Sequence, residues 1–143
     1  MSVGSRRLLA IDYGSKRIGL AISNPEGRVA LPLETFARTD DRGAARYIAR
    51  VVAREGVVGL VLGEPRRLDG SSGEAAARVG RFARRLEAAT GLAVELVDES
   101  LTSVEAERRL REAGVDPAAG SGRVDAVAAQ ILLEEVLAAR RRR

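Results

Sequence analysis

LLAIDYGSKRIGLAIS, residues Leu8–Ser23, holds two apolar runs of strand length around a short polar centre. Leu8–Tyr13 is rich enough in Leu and Ile to be a buried strand, and Arg17–Ser23 reads as the returning strand of a hairpin turning at Gly14-Ser15. Asp12 stands at the end of the first strand. A carboxylate there is costly to desolvate unless it is paired or metal-bound. The plain alternative is an Asp that bonds the N–H groups of its own turn, but Asn would do that without placing an ion inside a sheet. Asp12 is therefore the leading ligand candidate.

Outward from the hairpin, Asn24-Pro25-Glu26-Gly27 is a turn by its Pro and Gly chemistry, and Arg28–Leu33 supplies a third strand. Thr39-Asp40-Asp41 offers N-caps for an amphipathic helix over about residues 42–55, with Ala44, Ile48, Val51 and Val52 at helical spacing and Gly56 ending it. Val57–Leu62 is a continuous apolar run of the kind buried on both faces of a sheet. A polar loop, Gly63–Gly73, leads to a helix ending near Thr90, with Ser71 and Glu74 at capping-box spacing. A strand over Leu92–Val97, a short helix from about Thr102 to Ala113 and a final helix over about Val124–Ala139 complete the chain. No repeat or linker divides it, so residues 1–143 are expected to form one domain.

The order βββαβαβαα predicts an α/β fold with a mixed five-stranded sheet, three antiparallel strands and then parallel ones, flanked by helices. That describes the ribonuclease H-like architecture. Apolar residues make up 45% of the 143, enough for a packed core. There is no Cys and no His. This excludes thiol catalysis, cysteine-ligated zinc, a Ser-His-Asp triad and a histidine base. Carboxylates with a hard, oxygen-loving cation are left as the leading chemistry. The net charge of +4 is accounted for by Arg140–Arg143, without which 20 basic residues face 20 acidic ones. That Arg tail either attracts phosphates or is a frayed, solvated terminus. No apolar stretch approaches a membrane span and Met1–Arg7 lacks a signal-peptide core, so a soluble cytoplasmic protein is expected.

Further acids follow the other strands. Asp98-Glu99 comes directly after Val97, and since neighbouring strand residues point to opposite faces, one of the two shares a face with Asp12. Asp125 opens the last helix beside its apolar face, where the helix dipole alone accounts for an acid. Glu64 follows the buried strand; it reaches the same cleft or pairs in solvent with Arg66 or Arg67. The C-terminal ends of neighbouring parallel strands share one edge, where ligands gather. Acids from separate segments meeting there repel one another unless a divalent cation neutralises them, the arrangement used by two-metal nucleases.

These residues resemble the YqgF (RuvX-type) family of pre-16S ribosomal RNA nucleases, related to Holliday-junction resolvases. The matching segments are Leu8–Ser23, Val57–Val79, Val94–Glu107 and Gly122–Glu134, about half the chain and in the family's order. The resemblance implies a nuclease whose acidic site maps onto Asp12, Glu99 (or Asp98) and Asp125, holding Mg²⁺ or Mn²⁺. It implies maturation of the 5′ end of 16S rRNA, with Holliday-junction cleavage as the alternative. It also implies that Lys16, Arg17, Arg66, Arg67, Asp69 and Gly70 contact backbone phosphates of RNA or branched DNA, or shape the cleft. Two departures stand out. Glu64 replaces an apolar residue between the Gly and Pro of the second motif, which makes it an extra or substitute ligand candidate, and Ser100 replaces an Arg beside the acids.

Two other readings compete. The Asp12-Tyr13-Gly14-Ser15 turn is also that of the actin and sugar-kinase superfamily, whose architecture needs two such halves. A non-catalytic RNA-binding factor is the second rival; four aromatics give it no obvious stacking platform, and retained acids repel a phosphate backbone. Monomer and two-fold homodimer both stay open.

Overall fold

The computed structural model describes residues 4–64, 73–98, 102–116 and 121–142. Strands β1 (Arg7–Tyr13), β2 (Arg17–Ser23) and β3 (Ala30–Ala37) come first. Then come α1 (Asp41–Glu55), β4 (Val57–Glu64), α2 (Glu74–Thr90), β5 (Val94–Asp98), α3 (Thr102–Glu112) and α4 (Ser121–Arg141). The sheet runs β3-β2-β1-β4-β5. β1 is antiparallel to β2 and parallel to β4, β3 is antiparallel to β2, and β5 is parallel to β4. This is the ribonuclease H-like arrangement that the element order predicts. Among the described residues no helix is long and apolar enough to cross a membrane.

Strand alternation sorts the core into two layers. Leu9, Ile11, Tyr13, Ile18, Leu20, Leu60 and Leu62 point to one face, where they meet Ile48 and Val51 of α1 and Phe82 and Leu86 of α2. Leu8, Ala10, Ala21 and Val61 point to the other, against Ala129, Leu133, Val136 and Leu137 of α4. The first face is built of large side chains and takes two helices. The second presents Ala10, Gly19 and Ala21, so a single helix comes down almost onto the strand backbone. α3 packs on α4 through Ala106, Ala128 and Ile131, and Arg109 reaches Glu134 at 2.9 Å.

Several boundaries differ from the sequence reading. β3 starts at Ala30 rather than Arg28, because Asn24 Oδ1 accepts the N–H groups of Arg28 (2.8 Å) and Val29 (3.0 Å) and extends the turn. It then pairs with β2 as far as Ala37, tolerating Pro32 because it is an edge strand. Gly63 and Glu64 belong to β4 rather than to a loop, and β5 is shifted to Val94–Asp98. Asp40 caps α1, accepting from the Gly43 N–H at 2.6 Å. α2 is capped by Gly73 without a side-chain bond, and Ser71 lies outside the described residues. α4 is three residues longer at its start and two longer at its end than its apolar periodicity indicates. Arg140 and Arg141 are helical, and the Arg141 guanidinium donates to the Arg28 carbonyl at 2.9 Å, so this part of the Arg tail is not frayed.

Candidate active site

The two-layer alternation fixes where each acid stands. Asp12 shares the face of Leu8 and Ala10, under α4, and is 5% exposed. Its partner across the hairpin is Gly19. A Cβ at residue 19 would collide with the carbonyl of Asp125 and lie 2.7 Å from the Ala126 nitrogen. The backbone of α4 at Asp125 thus rests on the strand neighbour of Asp12, and one ladder spacing of about 5 Å separates that neighbour from Asp12. Asp12 and Asp125, 113 residues apart in sequence, are brought together by a glycine that sequence reading had passed over. The available signal was a glycine inside a strand opposite a buried acid, which marks a close backbone approach.

Asp125 lies one turn inside α4, not at its opening, because the helix begins at Ser121. The first-turn dipole account of this acid therefore loses its basis. The carboxylate accepts from Arg17 Nε at 2.8 Å, an ion pair that is half exposed on the arginine side and mostly shielded on the aspartate side. Arg17, expected to meet phosphates, thus stands at the acids themselves. Lys16 is exposed in the hairpin loop next to it, and its carbonyl accepts the Arg38 N–H at 2.9 Å.

The remaining acids divide. Val97 packs with the α4 layer, so Asp98 points to the opposite face. Glu64 pairs with Asp98 in the parallel ladder, and the alternation from Leu60 and Leu62 puts it on that same opposite face. Glu64 and Asp98 stand side by side on the α1–α2 side of the sheet edge, with Asp12 and Asp125 on the α4 side. Among the described residues no three acids gather closely enough to hold a metal ion. Glu99, Ser100, Arg66, Arg67, Asp69 and Gly70 lie outside the described residues.

The hairpin that presents Asp12 is tied down from the other face. Tyr13 stacks on Phe82 with ring centroids 4.5 Å apart, and its hydroxyl donates to Asp41 at 2.7 Å. Burial, and then this bond to Asp41, push the Tyr13 hydroxyl above its usual pKa. Arg38 closes the cluster, donating to the Gly14 carbonyl at 3.2 Å and to Asp41 at 3.0 Å, with its guanidinium over the Tyr13 ring. The Gly14 N–H donates to the Arg17 carbonyl at 3.0 Å, so the loop between Asp12 and Arg17 is braced at both ends.

The donor set suits a hard cation. Every candidate ligand is a carboxylate oxygen, and the chain contains no imidazole or thiolate. Asp12 is shielded on the face that α4 covers, and the Asp125 backbone rests on its ladder neighbour Gly19.

Residues 6–139 match the model of the RuvX family, described as Holliday junction resolvase. A Chloroflexus aggregans protein named "Putative pre-16S rRNA nuclease" is 43% identical over 139 residues, covering 97% of this chain and 98% of its own. A Syntrophus aciditrophicus protein of the same name is 44% identical over 131 residues, 92% of this chain and 87% of its own. Among solved structures, Thermus thermophilus RuvC superposes with a TM-score of 0.59 at 19% identity, over 94% of this chain and 96% of that one. The large terminase nuclease of the thermophilic phage G20c superposes with a TM-score of 0.54 at 14% identity, over 92% and 82%. At these identities the two structures speak for the fold alone. The family match spans nearly the whole sequence: the chain belongs to the RuvX Holliday junction resolvase family, whose members are phosphodiester-cleaving nucleases.

Proposed function

We propose that the protein hydrolyses phosphodiester bonds in the precursor of 16S rRNA, maturing its 5′ end, with Mg²⁺ or Mn²⁺ held by Asp12, Asp125 and Glu99. The observation that carries this reading is the buried Asp12 lying under α4 where Asp125 rests on Gly19. Of the adjacent pair, Asp98 lies on the other side of the sheet, which supports Glu99 as the third ligand. The names of the relatives support the RNA substrate.

When bound, a divalent cation activates water for in-line attack and stabilises charge on the scissile phosphate. The chain's own residues do the rest. Asp12 is held rigid by the braced hairpin, so its carboxylate keeps its position as substrate arrives. Arg17 balances Asp125 while no nucleic acid is present, and turns to the phosphate backbone, beside Lys16, when a strand enters. Glu64 and Asp98, on the far face, take no part in ligation, and Arg66 and Arg67 contact phosphates of the strand, as the family resemblance implies.

Precursor rRNA bearing the 5′ extension, incubated with Mg²⁺ or Mn²⁺, is expected to be cut by the wild type. Asp12→Asn should turn over about a thousandfold slower while binding the RNA nearly as tightly, since the lost group acts on the reaction rather than on affinity. Equal cleavage by the two proteins would remove Asp12 from the site. The family description favours a second reading, cleavage of four-way DNA junctions. A synthetic junction tested alongside the RNA separates the two, and symmetric incision there would require a two-fold dimer.

A further inference from the structure

The pole of the molecule away from the carboxylates is basic and concave. Two adjoining hollows of about 360 and 260 Å³ share Arg6, Glu26 and Arg28, and the second also takes in Leu137, Arg140 and Arg141. Four arginines and one glutamate thus line the two hollows. Arg140 has a partner in Glu95 at 3.6 Å, but no ion pair among the described residues engages Arg6, Arg28 or Arg141.

The backbone beneath these arginines is well tied. The Arg6 N–H donates to the Pro25 carbonyl at 3.0 Å, and the Gly27 N–H to the Asn24 carbonyl at 2.8 Å. Asn24 Oδ1 holds the N–H groups of Arg28 and Val29. Gly27, with φ of 71°, lies so close to the Arg6 carbonyl that a Cβ there would come within 2.9 Å of it. Arg141 locks the end of α4 to the Arg28 carbonyl. Charges rooted in fixed elements lose less entropy on binding an anion than charges on a loose tail.

We infer that this pole is a second nucleic-acid site, gripping backbone phosphates of the substrate strand at a fixed distance from the scissile bond. Its chemistry is that of phosphate recognition: forked guanidinium donors, several of them without a protein carboxylate. The distance is set by α4, which carries Asp125 near one end and Arg141 sixteen residues later, about 24 Å away along a straight helix. A stacked strand advances about 3.4 Å per nucleotide, so roughly seven nucleotides span the two poles. The grip itself is independent of cleavage, whereas its spacing from the scissile bond rests on the nuclease reading above.

The test measures binding by fluorescence anisotropy in excess chelator, with RNA strands of 4 to 20 nucleotides. Wild type is expected to gain affinity sharply once the strand exceeds about seven nucleotides. The triple variant Arg6→Ala, Arg28→Ala, Arg141→Ala should lose that gain, binding long RNA about 10- to 100-fold more weakly. Its slope of log affinity against log salt should flatten by about 2 to 3, the share of three phosphate contacts. Glu26→Gln should bind long RNA more tightly than wild type, an effect that misfolding cannot mimic. Unchanged affinity and salt slope in the triple variant would overturn the inference, as would equal binding of polyglutamate and RNA at this pole. If long RNA binds in this manner but is never cut under Mg²⁺ or Mn²⁺, the nuclease reading fails while the second site stands.

Discussion

Asp12 and Tyr13 are consecutive in β1, yet they enter different environments. Tyr13 sinks into the face of large side chains, stacked on Phe82 and bonded to Asp41. Asp12 faces Ala10, Gly19 and the backbone of α4. One side of the strand is filled by interlocking rings and aliphatic chains, and the other keeps its side chains small so that a helix can bring an acid near. The difference teaches that the two faces of β1 divide the work: the α1–α2 face supplies most of the strand's stability, and the α4 face admits the acids.

This comparison can be broken most severely at Gly19. Gly19→Val inserts a branched side chain where α4 touches β2, so the helix must lift and take Asp125 with it. Turnover with Mg²⁺ should fall by about a hundredfold or more, as expected for ångström-scale displacement of a reacting group. Circular dichroism should still show the mixed α/β fold. Turnover within a few-fold of wild type would mean that the close approach is irrelevant to the site.

On the other face, Phe82→Ala empties the fully buried ring position beneath Tyr13. Denaturant unfolding should show a loss of about 3–5 kcal/mol. Well below the melting temperature, cleavage per folded molecule should fall only a few-fold. A collapse of activity in protein that is still folded would show the two faces to be more tightly coupled than their separate packing implies.

The smallest effect is expected from Tyr13→Phe, which keeps the stack and removes the bond to Asp41. It should cost about 1 kcal/mol at neutral pH. The wild-type hydroxyl holds its proton more tightly in the folded than in the unfolded chain, its value being raised from 10.0. Its contribution is therefore complete below about pH 10 and is lost as pH rises through the folded value. Unfolding curves for the two proteins should converge above pH 10. A gap that stays constant would assign the difference to packing rather than to the proton.

Much of this was legible in residue order. The hairpin, the buried Asp12, the parallel strand Val57–Leu62 and the two-faced sheet all follow from runs of Leu, Ile and Val and the turns between them. Gly19 was not legible, because its neighbour Asp125 arrives from 106 residues away and local patterns carry no record of that contact. The start of α4 was hidden as well: Ser121-Gly122-Arg123 lacks apolar spacing, so Asp125 read as a helix-opening acid. Strand alternation predicts opposite faces for Asp98 and Glu99; that Asp98 lies away from α4 depends on Val97 meeting that helix, and Glu99 lies outside the described residues. Nor could Arg140 and Arg141 be placed, since a terminal charge run reads the same whether it continues a helix or frays.

Pro32 sits in β3, at one margin of the sheet, beside a register shift that leaves Leu33 out of step with β2. A proline offers no N–H to an incoming chain, and a bulge bends the strand away from one. That margin is a poor template for recruiting extra strands. The opposite margin is β5, only five residues long. Two copies meeting β5 to β5 would leave blocked margins outermost, so stacking through the sheet would stop at a pair and not propagate into a fibre.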